Sequence, residues 1–477
     1  MATMNLSSKG EHELIPMEQM TARPLEHEEE DDYCGTSHSS ISVDGDDDEG
    51  ERLLARQKSN RVGFERSYAK ARNKLRCIYF LGSFAYSIYL PFFVLFMKNE
   101  IGLSAGEVGL VGALQIVGGY LVGPPVSLLV DWLSVKVDCL KFRIHKYMWI
   151  ASMLACTIPV QLIPLANNFA SALVIAIMVS GLNAPVSSIQ DASTLGFLGK
   201  ESHEYGKIRF WGAIGWGLGS LMGGSIAQFF GMQYAFRLFG VGTVANAAIV
   251  LSLDFTTIQK AEESSAAGSA GGGGSSSDSV PFHHSIRRLV PTWSYALCLF
   301  VAVVAGFGGS SLQSLLLIFL SDLGAPDFLE GLALSVATIS ELPVFWASGY
   351  VIKRYGASSL LCASLLALTV RSILVSFLTN PWMVLPLQLL HGFTFAGTWT
   401  AGVALAKENS PVGLETSGQS VFSLSFNGIG GLSGAIVGGQ LYDLVGARTM
   451  YRIKAMIFAA TAILYALTLT KPKCCVK

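Results

Sequence analysis

Two groups of side chains stand out chemically. Asn183, Asp191, Arg209 and Trp216 form the first, and Glu341, Arg371, Gln388 and His391 the second; the charged members all lie within or at the ends of long apolar runs. An ionisable group near mid-bilayer costs on the order of 2.5 to 3.5 kcal/mol on insertion scales, so its retention there points to a task. Pairing of the inner acids and bases would lower that cost but bring a buried pair only near break-even for stability. Helical periodicity puts Asn183, Ser187 and Asp191 on one face, and Arg209, Ala213 and Trp216 on another. It does the same for Glu341, Phe345 and Ser348, and for Gln388, His391, Phe395 and Thr398. A carboxylate accepts hydroxyl protons, a guanidinium donates a fork and an indole stacks on a ring. Such faces predict a water-accessible cavity for a small polar organic solute. The plainer alternatives are an interfacial ion pair for Asp191 and Arg209 and simple packing for Trp216.

The elements that must hold these faces are membrane helices. The 477 residues are 51% hydrophobic and only 14% charged, with a mean hydropathy of +0.47. That composition excludes an ordinary soluble domain. A formal net charge of −1 argues against a nucleic-acid partner, which requires a basic surface. Apolar stretches long enough to cross the bilayer are expected near 77–97, 107–132, 147–165, 169–190, 208–230 and 234–254, then 292–320, 328–352, 357–378, 382–406, 417–441 and 453–470. The expected fold class is an all-α membrane protein with twelve transmembrane helices in two six-helix halves.

The halves are expected over residues 77–258 and 289–470, joined by a flexible cytoplasmic Gly/Ser linker over 259–288 and followed by a cytoplasmic tail, 471–477. Residues 1–50 carry fourteen acidic side chains against Lys9 and Arg23, and residues 51–76 reverse the sign. The whole of 1–76 is expected to be a disordered cytoplasmic segment, acidic then basic, with no cleavable signal. Lys and Arg concentrate in alternate loops, which predicts both termini in the cytoplasm; Arg448, Arg452 and Lys454 are the exception. Leu53 and Leu54 follow acidic residues in the manner of a sorting-adaptor signal for endosomal, lysosomal or vacuolar routing, so the choice between those membranes and the plasma membrane is open. Eight scattered cysteines read as free thiols, with Cys474 and Cys475 placed for palmitoylation.

The halves echo each other. Gly215, Gly219 and Gly223 recur as Gly430, Gly434 and Gly438 in the eleventh span, a one-face spacing that lets another backbone approach closely. Parallel duplication of six-helix units is a transporter plan, with the substrate site at the midplane between halves.

Over about residues 77 to 470 the chain resembles the branch of the major facilitator superfamily that contains lactose permease and phenylpropionate permease. The resemblance is carried by Tyr89-Leu90-Pro91-Phe92-Phe93, Gly123-Pro124-Pro125 with Asp131, Asp191-Ala192, Tyr205-Gly206-Lys207-Ile208-Arg209-Phe210-Trp211-Gly212, Glu341-Leu342-Pro343-Val344-Phe345, Arg371, Leu390-His391-Gly392 and Ser417-Gly418-Gln419. It implies that Asp191 and Arg209 stand where lactose permease holds sugar with a Glu and an Arg, 18 residues apart in both, with Trp216 as the stacking ring seven residues on. Arg371 and His391, 20 apart, and Glu341 likewise resemble its charged set in the second half. Its proton-releasing carboxylate matches Thr394 here, and a lysine matches Gln388. Glu341 with His391 is therefore the candidate proton relay. Asp131, followed by Trp132 where the superfamily expects Arg or Lys, is the candidate gating acid.

These features together imply a secondary active carrier for a sugar, nucleoside or aromatic acid, working by alternating access with proton symport and needing no cofactor or metal. A transport-inactive receptor or scaffold with the same fold stays open as the alternative. No hydrolase, metalloprotease or phosphate-loop motif is present, so an enzyme is not expected.

Overall fold

Helix formation follows from the apolar runs, since backbone amides inside a bilayer must be satisfied within the segment. The computed structural model describes residues 47–136, 141–198, 204–253, 293–410 and 415–469, and the described residues are almost entirely helical, with no strand. The first half comprises α1 (Asp47–Asn99), α2 (Ala105–Lys136), α3 (Lys141–Leu162), α4 (Phe169–Leu198), α5 (Tyr205–Phe230) and α6 (Met232–Leu251). In the second half come α7 (Trp293–Asp322), α8 (Asp327–Tyr355) and α9 (Ala357–Ser376). Next, α10 is built of Val384–Gln388, a π-helical turn over Gly392–Gly397, and Thr398–Asn409. The chain then runs through Glu415–Ser423 and a second π turn, Leu424–Gly430, into Gly431–Leu469. Gly446, at φ 78° and ψ 159°, breaks that last helix. An L side chain would be strained there, so glycine makes the corner between α11 (415–445) and α12 (447–469).

Among the described residues nine segments are long and apolar enough to cross a membrane, one of them, Gly418–Thr468, covering both α11 and α12. The glycine-rich α5 and the interrupted α10 complete the twelve passes of this multi-pass membrane protein.

The chain is helical from Asp47, which corrects the disorder expected over 47–76. Its Arg, Lys, Ala, Leu and Gln are good helix formers, and a helix extended from a stable span needs no new nucleus. The described residues from Asn60 onward belong to one compact unit. The 259–288 linker, residues 1–46, the 471–477 tail and the side chains of Leu53, Leu54 and Asp131 lie outside the described residues.

The three basic residues that broke the loop pattern are accounted for within the bundle. Lys454 is buried with its ammonium 5.2 Å from the Phe307 ring centre. Arg452 lies over the Phe377 ring at 5.4 Å, and Arg448 donates to the Leu378 carbonyl.

The repeated glycines dock helices within each half in the same way. A Cβ on Gly215 would lie 2.2 Å from the Phe80 carbonyl oxygen, and one on Gly219 2.3 Å from that of Phe84, so α5 lies backbone to backbone on α1. In the second half a Cβ on Gly434 would lie 2.4 Å from the Phe307 carbonyl oxygen and one on Gly430 2.6 Å from that of Val303, so α11 docks on α7 in the same manner.

Different glycines join the halves. Gly224 of α5 faces Gly331 of α8, and the Ser335 hydroxyl donates to the Gly217 carbonyl at 2.7 Å. Gly109 of α2 faces Ala435 of α11, and Gly439 faces Ala105. At the tip of this seam Asp443 of α11 accepts the first amides of α2, Ala105 at 3.0 Å and Gly106 at 2.7 Å. Lys98 pairs with Asp322 across the same mouth at 3.6 Å, and Tyr442 donates to Asp322. The bundle is thus shut at the end that carries the α1 to α2 turn.

Candidate functional site

Between the halves lies a cavity of about 1990 Å³, walled by α1, α2, α4 and α5 on one side and by α7, α8, α9, α10 and α11 on the other. Its lining reaches Tyr205, Gly206, Phe210 and Trp346, and Trp346 is 90% exposed, so the cavity opens at the end opposite the seam.

On the first-half wall, α4 brings Asp191 and α5 brings Arg209 to within 3.7 Å. Two tyrosines complete the pair. Tyr79 of α1 donates its hydroxyl to Asp191 at 2.5 Å, and Arg209 donates to the Tyr205 hydroxyl at 3.0 Å. Arg209 remains 65% exposed, with donors free to reach a solute. Asn183 lines the wall about two turns deeper, and Trp216 leans on Tyr86 with ring centres 6.1 Å apart. All four first-half residues expected at a binding site therefore face one space.

The second-half wall is a buried relay of polar groups. Arg371 of α9 is 2% exposed; its Nη1 donates to His391 Nδ1 at 2.9 Å and to the Thr394 hydroxyl at 3.1 Å, and its Nη2 donates to Gln388 Oε1 at 2.5 Å. Since a guanidinium only donates, Nδ1 of His391 is the acceptor. The ring proton therefore sits on Nε2, which lies 3.1 Å from Glu341 Oε1 of α8. Glu341, His391 and Arg371 form a chain in which a neutral imidazole bridges carboxylate and guanidinium.

The break in α10 makes this possible. Ser340 accepts from the Gly392 amide at 2.9 Å and donates to the Gln388 carbonyl at 3.2 Å, satisfying backbone groups released where the helix changes to a π turn. The same turn lines up His391, Phe395 and Trp399: the first two rings are stacked at 5.7 Å and 2°, the next two at 6.4 Å and 21°. Phe426, within the second π turn, closes this aromatic shelf against Trp399 at 5.7 Å.

Gln388 departs from expectation. It is 2% exposed and lies behind Arg371 instead of lining the cavity. It still stands beside His391, since both accept from the Arg371 guanidinium, and from that position it holds Arg371 from behind. Tyr79 and Tyr205 were not expected as site members; Tyr205 stands one turn before Arg209 on α5, a spacing that could have marked it, whereas Tyr79 reaches Asp191 from α1. Among the described residues no cluster of His, Cys, Asp and Glu could hold a metal ion.

Comparison with known proteins agrees with this architecture. The chain is 21% identical to the maltose permease of Geobacillus stearothermophilus over 383 residues, covering 80% of this chain and 90% of the permease. It is 25% identical to the Xenopus laevis major facilitator superfamily domain-containing protein 6-like protein A over 318 residues, where it spans only 50% of that relative's length. Among solved structures, the nucleoside transporter NupG superposes with a TM-score of 0.68 at 14% identity, covering 84% of this chain and 100% of NupG. A peptide transporter, POT, in complex with alafosfalin gives 0.62 at 12% identity, covering 84% and 94%. Residues 73–453 match the MFS_1 like family, so the chain belongs to that family and carries the major facilitator fold.

Proposed function

We propose that this chain is a secondary active transporter that moves a small polar organic solute by alternating access, with protons as the coupling ion. One observation carries the reading: two charged constellations, Asp191 with Arg209 and Glu341 with His391 and Arg371, face a single cavity from opposite halves of the bundle, and that cavity is shut at one end and open at the other. A solute gripped by both walls is released when the halves rock about it.

The exposed guanidinium of Arg209, the carboxylate of Asp191 and the ring of Trp216 suit hydroxyls and a planar face, and the shelf of Phe395 and Trp399 offers a second stacking surface. Sugar, nucleoside and aromatic acid fit this chemistry, and the named relatives include a maltose permease and a nucleoside transporter. Coupling is assigned to Glu341 and His391: adding a proton to the imidazole requires Nδ1 to give up its bond from Arg371, which frees that guanidinium for the solute. In this reading both termini, and the open end, face the cytoplasm, and Leu53 and Leu54 form a sorting-adaptor signal.

The test is uptake by proteoliposomes offered a sugar, a nucleoside and an aromatic acid, with and without an imposed pH gradient. Gradient-driven accumulation of one class supports the proposal. Absence of flux with all three, from protein shown to be inserted, favours the receptor or scaffold.

A further inference from the structure

The closed seam contains a carboxyl group that the cavity chemistry does not use. Glu330, in the first turn of α8, is 1% exposed, and neither carboxylate oxygen has a hydrogen-bond partner among the described residues. The adjacent Gly331 is a point of close approach between the halves: a Cβ there would lie 2.4 Å from the Ser220 carbonyl of α5. One turn on, Leu334 packs in an apolar cluster with Phe92 and Leu95 of α1, Ala227 of α5 and Leu317 of α7. Glu330 therefore stands in a seam to which both halves contribute hydrocarbon.

The charges around it offer no compensation. Asp327, in its own turn, is a like charge, and Glu100 at the end of α1 acts on Asp327 in the same sense. Of the cations at this end, Lys98 is engaged with Asp322 of α7, Arg448 donates to the Leu378 carbonyl and Arg452 lies over the Phe377 ring. The α5 residues against this turn, Ser220, Gly224 and Ala227, carry no charge. The N-terminus of α8 favours a carboxylate, but by less than burial without a partner disfavours one. With the seam shut, the carboxyl lacks the water and the donors that would hold a charge on it; with the seam parted, water reaches it.

We propose that Glu330 is a proton-binding site whose occupancy is tied to closure of the α5 to α8 seam. The inference rests on the alternating-access reading and adds to it a second proton, distinct from that of Glu341 and His391. This proton enters as the seam shuts and leaves to the same side when it reopens, so it biases the conformational balance without being carried across. Because the shut state binds one proton more than the parted state, the ratio of shut to parted falls by up to tenfold for each unit rise in pH.

The experiment places spin labels at Gln228→Cys and Leu444→Cys, one on each half near this mouth and both exposed. The full chain, with its native cysteines replaced, is held in lipid nanodiscs, and the distance distribution is measured from pH 5 to 8. The otherwise native protein is expected to lose its short-distance population as pH rises; Glu330→Gln is expected to stay shut throughout, and Glu330→Asp to keep a slope. A Glu330→Gln protein with an unchanged slope, or a native population that ignores pH, overturns the proposal. The readout needs no solute. A pH-dependent seam in a protein without flux would retire the transport reading and leave this one standing, whereas flux with a pH-blind seam would do the reverse.

Discussion

Arg371 donates to Nδ1 of His391 at 2.9 Å, which fixes the imidazole as a neutral ring with its proton directed at Glu341. The arginine is thereby both a candidate solute ligand and the group that sets the protonation of its neighbour. Replacing it with lysine keeps the charge but not the fork: one ammonium cannot serve Gln388, Thr394 and His391 in the same plane. Arg371→Lys is expected to cut uptake at least tenfold with insertion unchanged, and Arg371→Ala to abolish it, as measured by transport in proteoliposomes beside size-exclusion profiles.

Glu341→Gln retains the shape of the carboxyl but cannot cycle a proton. Solute exchange down no gradient is expected to persist, while accumulation driven by an imposed pH difference disappears. Counterflow and gradient-driven uptake on the same vesicles separate the two.

Arg209 is largely solvated, so its loss should cost little stability, under about 1 kcal/mol for an exposed ion pair. Arg209→Ala is expected to abolish binding with a thermal midpoint close to that of the native protein. Tyr79→Phe, which removes the hydroxyl donated to Asp191, is expected to weaken apparent affinity about fivefold to tenfold, matching about 1 to 1.5 kcal/mol for one hydrogen bond. Isothermal titration with the transported solute provides the comparison.

Asp443 offers a different lever, since its two oxygens cap α2 from the other half of the bundle. Loss of a helix cap costs about 1 kcal/mol, so Asp443→Ala is expected to shift the balance about fivefold toward opening at this end. Cysteine labelling at exposed positions around this mouth, with rates compared between variant and native protein, measures the shift.

Much of this molecule could be read from residue types alone. Asp191, Arg209, Glu341, Arg371 and His391 announced themselves because charge inside apolar sequence is costly, and the cavity gathers all five. Glycines spaced by four pointed to close packing, and they bring α5 onto α1 and α11 onto α7. What stayed hidden depended on tertiary placement. Gln388 does share a face with His391, but no spacing records that Arg371 stands between it and the cavity. Tyr79 looked like one more aromatic in an apolar span, because no sequence pattern records which way a hydroxyl points. Glu330 lay near the start of a span, where an acid is ordinary; only the approach of Gly331 to Gly224 turns that position into an interior one.

That approach bears on how the membrane stays sealed. Where Gly224 meets Gly331 and Gly109 meets Ala435, main chain abuts main chain, so these two joints do not depend on a side-chain rotamer. Main chain packed on main chain leaves no bore for ions or water at such a joint, which the proposed gradient-driven cycle requires.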